Sequence, residues 1–429
     1  MKKILSSLIP RKWLKAILSF YHFAWAGASA LFYRFPSREI FVIGVTGTKG
    51  KSSTTEIVNC ILEEAGYKTA VSGTIRFKIG DEVIANKYKM TMPGRNFVQK
   101  FLRDAVKAGC QIAILEMTSE GALQHRHRFI DLNALIFTNL KPEHIESHGS
   151  FEAYAQAKLL LRDTLETSTK KEKYSVANID DAYGKEFLNV PSAKALPYSL
   201  KDAEPIGTTT RGVLMTISGI SIHSPLIGVF NIYNILAAIT LTRAIGVRLE
   251  TIKEALEKFE KIAGRAERIE AGQNFTAIVD YAHTPDSLEK LYQAFKDTTG
   301  NGRKICVLGN TGGGRDTWKR PVMGEIADTY CNTIILTDED PYDEDPREIV
   351  LAMERGMKKH KPLIIMDRRE AIRTALSKAR ANDVVLVTGK GTDPYIMGKN
   401  GSRTPWSDAR VVREEIERIT HTKENEVHV

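Results

Sequence analysis

Cysteine is scarce in this sequence, and its scarcity excludes two classes of protein. Four cysteines in 429 residues are too few and too widely spaced for a small disulfide-rich scaffold, and none forms a pair with metal-ligand spacing. We therefore expect a reducing compartment and free, mostly buried thiols at Cys60, Cys110, Cys306 and Cys331.

The sequence also lacks long hydrophobic runs, with one borderline exception. Residues 16–33 contain no Asp, Glu, Lys or Arg and follow Arg11, Lys12 and Lys15. Such a stretch is barely long enough to cross a bilayer, and a span that kept the rest of the chain cytoplasmic would place these basic residues outside, against the positive-inside rule. Three alternatives stay open: a helix on the membrane surface, an apolar helix packed on the body of the protein, and a span.

Acidic residues are outnumbered by basic ones, 52 against 61, which gives a formal net charge of +9. The basic residues are spread along the chain, and no basic stretch is interleaved with aromatic residues in the manner of single-stranded nucleic-acid binders. We therefore expect phosphorylated metabolites, and no nucleic acid, as the anionic partners.

Short apolar runs alternate with stretches of helical periodicity, which is typical of a mostly parallel sheet covered by helices. One series runs from residues 40–45 to 134–137 and a second from 276–279 to 384–387, and Gly264 interrupts the pattern between them. The sequence therefore predicts an α/β protein with three parts. They are an apolar N-terminal helical segment (1–38), a central domain with a P-loop-type, mostly parallel sheet (39–262) and a C-terminal Rossmann-like α/β domain (263–429).

A glycine-rich turn joins the first apolar run to a predicted helix. Its residues are Gly47, Thr48, Lys49, Gly50, Lys51, Ser52 and Ser53. Glycines let backbone N–H groups approach a phosphate, and the N-terminus of the helix adds positive potential. Lys51 can reach the terminal phosphates and the Ser52 hydroxyl can ligate Mg²⁺, although the turn is shorter than the common GxxxxGK[ST] pattern. The turn predicts that the central domain binds ATP.

Several segments, in order along the chain, resemble the Mur ligase family. The turn reads TGTKGKS where the family has TGTNGKT, so Lys49 replaces an asparagine. The other segments are FTNL at 137–140, EHIESHG at 143–149, YAQAK at 154–158, PLIGVFNIYN at 225–234 and DYAHTPD at 280–286. The last resembles the branch that adds the third residue of the peptidoglycan stem peptide.

This resemblance implies an ATP- and Mg²⁺-dependent ligase that turns a carboxylate into an acyl phosphate, which an amine then displaces. By position it implies metal ligation by Ser52, Glu116 and His144 and a carbamylated lysine at Lys158 that helps to hold the metal. It places Arg265 near the γ-phosphate. Further nucleotide contacts are implied at Asn139, Asn231, Asn234 and Asp280.

The resemblance also implies a muramoyl-peptide acceptor. The positions that carry over are Thr91, Pro93, Thr118, Ser119, Gln124 and Arg126. Glu120 stands where the family has histidine, so acceptor binding differs in detail. Only about 40 residues precede the phosphate loop, whereas standard members have an N-terminal domain that grips UDP. We therefore leave open whether the acceptor is linked to UDP or to a lipid.

Contacts to the acceptor or to the incoming amino acid are implied at Arg315, Asp340, Tyr342, Gly389 and Asp393. Tyr342 replaces the family arginine that pairs with the distal carboxylate of meso-diaminopimelate, and the surrounding carboxylates favour a distal ammonium. Lysine, ornithine or a similar diamine is one hypothesis, and a solvated acidic loop is the alternative.

We therefore expect a monomeric, cytoplasmic amide ligase, with contact to the inner face of the membrane through residues 16–33 as one of the alternatives above. Two other functions remain in competition. One is a ligase resembling folylpolyglutamate or poly-γ-glutamate synthases, which share the phosphate loop and the chemistry. The other is a non-catalytic nucleotide-binding module that tethers cell-wall precursors at the membrane.

Overall fold

The computed structural model describes residues 11–143, 145–296, 302–314 and 316–427. They form two compact units. The first comprises the described residues of Met1–Glu204 and Ile232–Leu256, and the second those of Pro205–Asn231 and Glu257–Val429. The domain limits given above at residues 38 and 262 stay predictions.

The first unit is built on an eight-stranded sheet with the strand order β4-β3-β2-β5-β1-β6-β7-β8. Six strands, from β2 to β8 in that order, are parallel, and β3 and β4 pair antiparallel at one edge. The strands are β1 (Phe41–Thr46), β2 (Thr69–Ser72), β3 (Arg76–Ile79), β4 (Glu82–Ala85), β5 (Ile112–Glu116), β6 (Ala134–Phe137), β7 (Tyr174–Asn178) and β8 (Lys194–Tyr198). The central strands are buried along almost their whole length, which is why they read as continuous apolar runs.

The first unit also contains helices, several of which pack against this sheet. They are α1 (Arg11–Phe32), α2 (Lys51–Glu64), α3 (Arg95–Lys107), α4 (Ser119–Leu123), α5 (Ile145–His148), α6 (Phe151–Glu166), α7 (Gly184–Leu188), the part of α8 (Val229–Ala244) from Ile232 onward, and α9 (Leu249–Lys258). Two of them begin at side-chain caps: Thr118 accepts from the Gly121 N–H and Ser150 from the Ala153 N–H. These caps satisfy backbone donors that the helix itself leaves unpaired.

The second unit contains a six-stranded sheet with the order β12-β13-β17-β14-β15-β16, in which only β12 runs antiparallel to its neighbour. Its strands are β12 (Glu267–Ile269), β13 (Thr276–Asp280), β14 (Lys304–Leu308), β15 (Thr333–Leu336), β16 (Leu363–Ile364) and β17 (Val384–Thr388). Its helices are α10 (Pro285–Ala294), α11 (Lys319–Tyr330), α12 (Pro346–Glu354), α13 (Arg368–Lys378) and α14 (Asp408–Val427). The predicted α/β class with mostly parallel sheets is confirmed in both units.

Two small antiparallel sheets complete the second unit, and the sequence did not predict either. They are formed by β9 (Ile206–Thr209), β10 (Gly212–Ile217) and β11 (Ile220–Ser224), and by β18 (Tyr395–Met397) with β19 (Arg403–Pro405). No helix among the described residues is both long and apolar enough to cross a membrane.

The expectation of four free thiols is wrong for one pair. Cys306 and Cys331 form a disulfide with their Cα atoms 6.1 Å apart, whereas Cys60 and Cys110 are free as predicted. Cys306 lies within β14 and Cys331 precedes the neighbouring strand β15, so sheet pairing brings together two residues that are 25 positions apart. Such a pairing leaves no spacing pattern in the sequence.

Candidate active site

The predicted phosphate loop follows β1 and leads into α2, as expected. Gly50 precedes the helix with a φ of +84°, in the left-handed region that favours glycine. A Cβ atom at Gly47 would collide with the Thr138 hydroxyl, and one at Gly50 with the side chain of Asn234. The loop therefore needs both glycines, and it presents backbone N–H groups at the N-terminus of a helix, where an anion is stabilised.

The end of the neighbouring strand β6 holds this loop in place. The Asn139 side chain accepts from the Lys49 N–H at 3.0 Å and donates to the Lys49 carbonyl at 3.1 Å, and the Asn139 carbonyl accepts from the Thr48 N–H at 2.8 Å. The Thr138 hydroxyl donates to the Lys49 carbonyl at 2.6 Å. Asn139, predicted to contact the nucleotide, thus lies against the phosphate loop and fixes its backbone.

Two lysines converge on one carbonyl of the loop. Lys51 Nζ and Lys158 Nζ donate to the Gly47 carbonyl at 2.9 and 2.8 Å, and Lys51 also donates to the Thr48 carbonyl at 2.9 Å. Lys158 is 2% exposed. Burial, reinforced by the positive charge of Lys51, holds the pKa of Lys158 well below its usual value, which favours a neutral amine.

The predicted metal ligand Glu116 ends β5, next to the strand that feeds the loop. The parallel register pairs it with Val45, and it is 2% exposed. The Ser52 hydroxyl donates to Glu116 Oε2 at 3.1 Å, and Thr74 donates to the same carboxylate through its backbone N–H at 2.8 Å and its hydroxyl at 2.9 Å. Ser52 and Glu116 are therefore brought together as predicted, and Thr74 is a partner that sequence reasoning missed.

This donor set fits Mg²⁺. A hydroxyl and a carboxylate oxygen are ligands that Mg²⁺ accepts while it keeps positions for water and phosphate. Within the described ranges, no cluster of three or more His, Cys, Asp or Glu side chains is arranged to hold a metal by itself. His144, the third predicted ligand, lies outside the described residues.

The acceptor positions meet at the same edge of the sheet. The Thr91 hydroxyl lies 2.8 Å from the Thr74 hydroxyl. A continuous chain of hydrogen bonds therefore runs from Ser52 through Glu116 and Thr74 to Thr91. Pro93 is buried close by in the chain. The predicted acceptor contact Thr91 is thereby joined to the phosphate loop.

The remaining acceptor positions lie at the two ends of α4: Thr118 and Ser119 at its start, and Gln124 and Arg126 in the turn after it. The Arg126 guanidinium donates to the Met92 carbonyl and to Gln124 Oε1. Ser119 Oγ lies 3.2 Å from His148 Nε2. His148 lies in the segment 143–149, where the family resemblance assigned a role to His144 but none to His148.

In the second unit, Arg265 and Asp280 are close together. The Arg265 guanidinium lies over the Tyr281 ring at 4.5 Å, and the Asp280 carboxylate accepts from the backbone N–H groups of Ala266 and Ala282, both at 2.6 Å. Asn231 is buried, and its amide donates to the Ile227 carbonyl at 2.9 Å.

The acidic segment predicted to read the amino acid is bonded within the fold. Lys390 Nζ donates to Asp340 at 2.8 Å and to Asp393 at 3.2 Å, and Asp340 also accepts from the Met397 N–H at 2.8 Å. Tyr342 has a φ of +53° and donates its N–H to the Met397 carbonyl at 3.0 Å. Asp340 is therefore a buried and paired carboxylate, whereas Asp343 and Asp345 of the same segment are exposed.

Glu339 is a further buried acid that sequence reasoning did not single out. Its Oε1 accepts from the Thr311 hydroxyl at 2.9 Å, whereas Oε2 has no hydrogen-bond partner among the described residues. Burial raises the pKa of Glu339, and a Cβ atom at Gly389 would collide with its carboxylate. Arg315 lies outside the described residues.

Comparison with protein families yields two matches. Residues 45–242 match the model described as the Mur ligase middle domain, and residues 264–391 match the Mur ligase, glutamate ligase domain.

Curated relatives and solved structures agree with these matches. The chain is 37% identical over 405 residues to a UDP-N-acetylmuramoyl-L-alanyl-D-glutamate–2,6-diaminopimelate ligase from Caldanaerobacter subterraneus subsp. tengcongensis, covering 91% of this chain and 81% of the relative. It is 37% identical over 415 residues to a UDP-N-acetylmuramyl-tripeptide synthetase from a Roseiflexus species, with the same coverage of 91% and 81%. A solved structure of a ligase with the first of these names is 30% identical, covers 89% of this chain and 79% of its own, and superposes with a TM-score of 0.62.

Proposed function

We propose a role in ligation for individual residues of this chain. The chain belongs to the Mur ligase family. The protein is an ATP-dependent ligase that forms a C–N bond, adding an amino acid to a muramoyl-peptide precursor of peptidoglycan. The relatives' names favour this function over that of a polyglutamate-type ligase or a non-catalytic tether.

The reaction has two chemical steps. A carboxylate oxygen of the acceptor attacks the γ-phosphorus of ATP and ADP leaves, which gives an acyl phosphate. The amine of the incoming amino acid then attacks the acyl carbon, and phosphate leaves with that oxygen. Lys51 and the backbone N–H groups from Thr48 to Ser52 are proposed to hold the phosphates during the first step.

Ser52 and Glu116 are proposed to hold Mg²⁺ beside the phosphates, and the resemblance adds His144. When bound, the ion neutralises negative charge on the phosphate oxygens. Supporting the assignment, Ser52 and Glu116 already lie in hydrogen-bond contact at the edge of the sheet where the loop begins.

Lys158 is proposed to become a carbamate. Its neutral amine would attack the carbon of CO₂ and lose a proton, which turns a buried neutral amine into a buried anion able to support the metal. The depressed pKa and the full burial of the amine support this chemistry, because only the neutral form is a nucleophile. A mass increase equal to one CO₂ on the intact protein in bicarbonate buffer, absent from K158M, tests it.

The observation that carries the proposal is the connected set Ser52, Glu116, Thr74 and Thr91. These hydrogen bonds join the phosphate loop to a predicted acceptor position. An acceptor carboxylate bound near Thr91 would therefore lie close to Glu116 and to the Mg²⁺ that Glu116 is proposed to hold. We propose the UDP-linked muramoyl dipeptide named for the relatives as the acceptor. Arg265 and Asp280 remain proposed nucleotide ligands, and the monomeric state and cytoplasmic location stay predictions.

The proposed amino acid is 2,6-diaminopimelate, as in the relatives' names. The sequence favoured a diamine because Tyr342 replaces an arginine amid carboxylates. The structure weakens that reasoning, since Lys390 pairs with Asp340 and Asp393 and these two carboxylates are not left to attract a second ammonium.

Product analysis tests this function. The protein is incubated with ATP, Mg²⁺, UDP-muramoyl dipeptide and one amino acid at a time from a panel of 2,6-diaminopimelate, lysine and ornithine, and the products are weighed by mass spectrometry. We expect one ADP per tripeptide product, with 2,6-diaminopimelate preferred. Preference for lysine would restore the diamine hypothesis, and ADP release without a peptide product would contradict the assigned function.

A further inference from the structure

Helix α1 exposes large apolar side chains to solvent, which is unusual for a helix that packs only on its own protein. Apart from Leu14, which is half-buried, its buried or half-buried positions are small or polar residues: Ser19, His22, Ala26, Gly27, Ser29 and Ala30. Its other large apolar side chains are 38–77% exposed: Trp13, Ile17, Leu18, Phe20, Tyr21, Phe23, Trp25, Leu31 and Phe32. An ordinary surface helix does the opposite and turns its apolar stripe toward the core.

The inner face of α1 is nevertheless attached by specific contacts. Ser29 Oγ donates to Asn96 Oδ1 at 3.1 Å, Ser19 Oγ lies 2.7 Å from His125 Nε2, and the Phe23 ring packs on Phe129 with centroids 5.2 Å apart. These contacts fix the rotation of the helix, with Phe23 turned toward the first unit. We call the other eight exposed side chains the outer face of α1.

The charge around α1 indicates what covers the outer face. Residues 1–38 contain no Asp or Glu but seven Lys or Arg: Lys2, Lys3, Arg11, Lys12, Lys15, Arg34 and Arg38. A segment that is aromatic on one face and carries only positive charge complements a bilayer with anionic lipid. A second copy of the chain fits less well, since a two-fold contact through α1 would bring together two basic segments that have no carboxylates to pair with.

The dimensions of α1 suit a helix that lies in the bilayer surface. Its 22 residues correspond to a length of about 33 Å, and interfacial helices of this kind bury their apolar face roughly 5–10 Å deep. Trp and Tyr side chains, which α1 exposes at Trp13, Tyr21 and Trp25, are characteristic of the region between the headgroups and the acyl chains.

We propose that the outer face of α1 binds the surface of a bilayer that contains anionic lipid, and that α1 thereby holds the acceptor-binding turn beside the bilayer. The statement about the acceptor-binding turn rests on the proposed function. Ser19 Oγ lies 2.7 Å from Nε2 of His125, which stands between the predicted acceptor residues Gln124 and Arg126, so a hydrogen bond joins the helix to this turn.

Vesicle flotation tests the first half. The parent protein, F20S/W25S and the matched control L214S/W318S are mixed with vesicles of phosphatidylcholine containing about 30% phosphatidylglycerol, or with phosphatidylcholine alone. Leu214 and Trp318 are 49% and 48% exposed in the second unit, and Trp25 is 50% exposed, so the control removes similar apolar groups at another place.

We expect the parent and the control to float with the anionic vesicles. F20S/W25S should bind roughly 100-fold more weakly, about tenfold for each large side chain that no longer enters the bilayer. Phosphatidylcholine alone should bind the parent more weakly than the mixture. Equal flotation of F20S/W25S and the parent, or no flotation of the parent, overturns the inference. A dimer of the parent that F20S/W25S dissociates, without vesicle binding, would identify a second copy as the occupant and also overturn it.

The second half is tested by the KM for the acceptor. Anionic vesicles should change the acceptor KM of the parent and leave its KM for ATP unaltered, whereas F20S/W25S should show no response to vesicles. An unchanged acceptor KM in the parent would refute the positioning role. Because flotation needs no substrate, failure of the proposed ligase activity would leave vesicle binding intact, and the two failures are therefore distinguishable.

Discussion

Replacing Glu116 with glutamine tests the role of the carboxylate at the end of β5. The carboxylate accepts three hydrogen bonds, from Ser52 Oγ at 3.1 Å and from Thr74 at 2.8 and 2.9 Å. An amide at this position keeps the shape but has one acceptor oxygen and one donor nitrogen, so at least one buried donor loses its partner. That loss costs about 1–3 kcal/mol of the free energy of unfolding.

The functional effect of E116Q should exceed this structural one. Loss of the charged ligand weakens Mg²⁺ binding, and we expect the Mg²⁺ concentration for half-maximal ADP release to rise at least about 10–100-fold, the range found when even supporting residues of metal sites are changed. The assay is ADP release in the presence of acceptor and amino acid over a Mg²⁺ titration, alongside urea unfolding without Mg²⁺.

D131N is the matched control. Asp131 is also a buried carboxylate of the first unit, accepting from Arg38 Nε at 3.1 Å and from the Thr169 N–H at 2.9 Å, but it is no part of the phosphate loop. It should lose stability and keep the parent's Mg²⁺ dependence. If E116Q and D131N have the same Mg²⁺ dependence as the parent, Glu116 does not hold the ion and the reasoning is refuted.

Three further predictions follow from buried groups. The pKa of Lys158 is lowered in the folded state, so the unfolded chain binds more protons than the folded one up to about pH 10.5. The free energy of unfolding should therefore rise by up to about 1.4 kcal/mol per pH unit in that window, and K158M in CO₂-free buffer should lack this rise. If urea unfolding at pH 7 and 9 gives the parent and K158M the same change in stability with pH, the prediction is wrong. Burial lowers the pKa of His127 to about 3, so the unfolded chain takes up a proton that the folded chain does not when the pH falls below about 6.5. The free energy of unfolding should therefore fall by about 1.4 kcal/mol at pH 5.5. H127L should remove this loss, whereas H223L, at an exposed position, should not. The Cys306–Cys331 disulfide closes a loop of 25 residues and should contribute about 3–4 kcal/mol to stability; two reactive thiols are expected in the denatured, non-reduced protein, and four would contradict the bond.

The parallel strands were the part of the fold most readily predicted from the sequence. A strand buried on both faces needs an uninterrupted apolar run, so β6 was predicted with its observed bounds. The antiparallel strands β9–β11 were missed because they are partly exposed, and exposed polar residues such as Thr208 and Ser221 interrupt their apolar runs. The Cys306–Cys331 disulfide was missed because strand order, which the sequence does not encode locally, brings the two thiols together.

The candidate site was predictable where one short segment carries both the geometry and the chemistry. The loop from Gly47 to Ser52 is such a segment, and Asn139 was found through the family resemblance. Thr74 and His148 were missed because their roles depend on partners far away in sequence, Glu116 and Ser119. The carboxylates Asp340 and Asp393 could be named from sequence, but their pairing with Lys390 could not.

Isotope transfer tests the central claim most directly. The claim is that the acceptor carboxylate attacks ATP held on the Gly47–Ser52 loop, so that an acyl phosphate precedes the new C–N bond. With ¹⁸O in the reacting carboxylate of the acceptor, the account predicts that the released phosphate carries one ¹⁸O for each amide formed. Unlabelled phosphate accompanying the peptide product would contradict it.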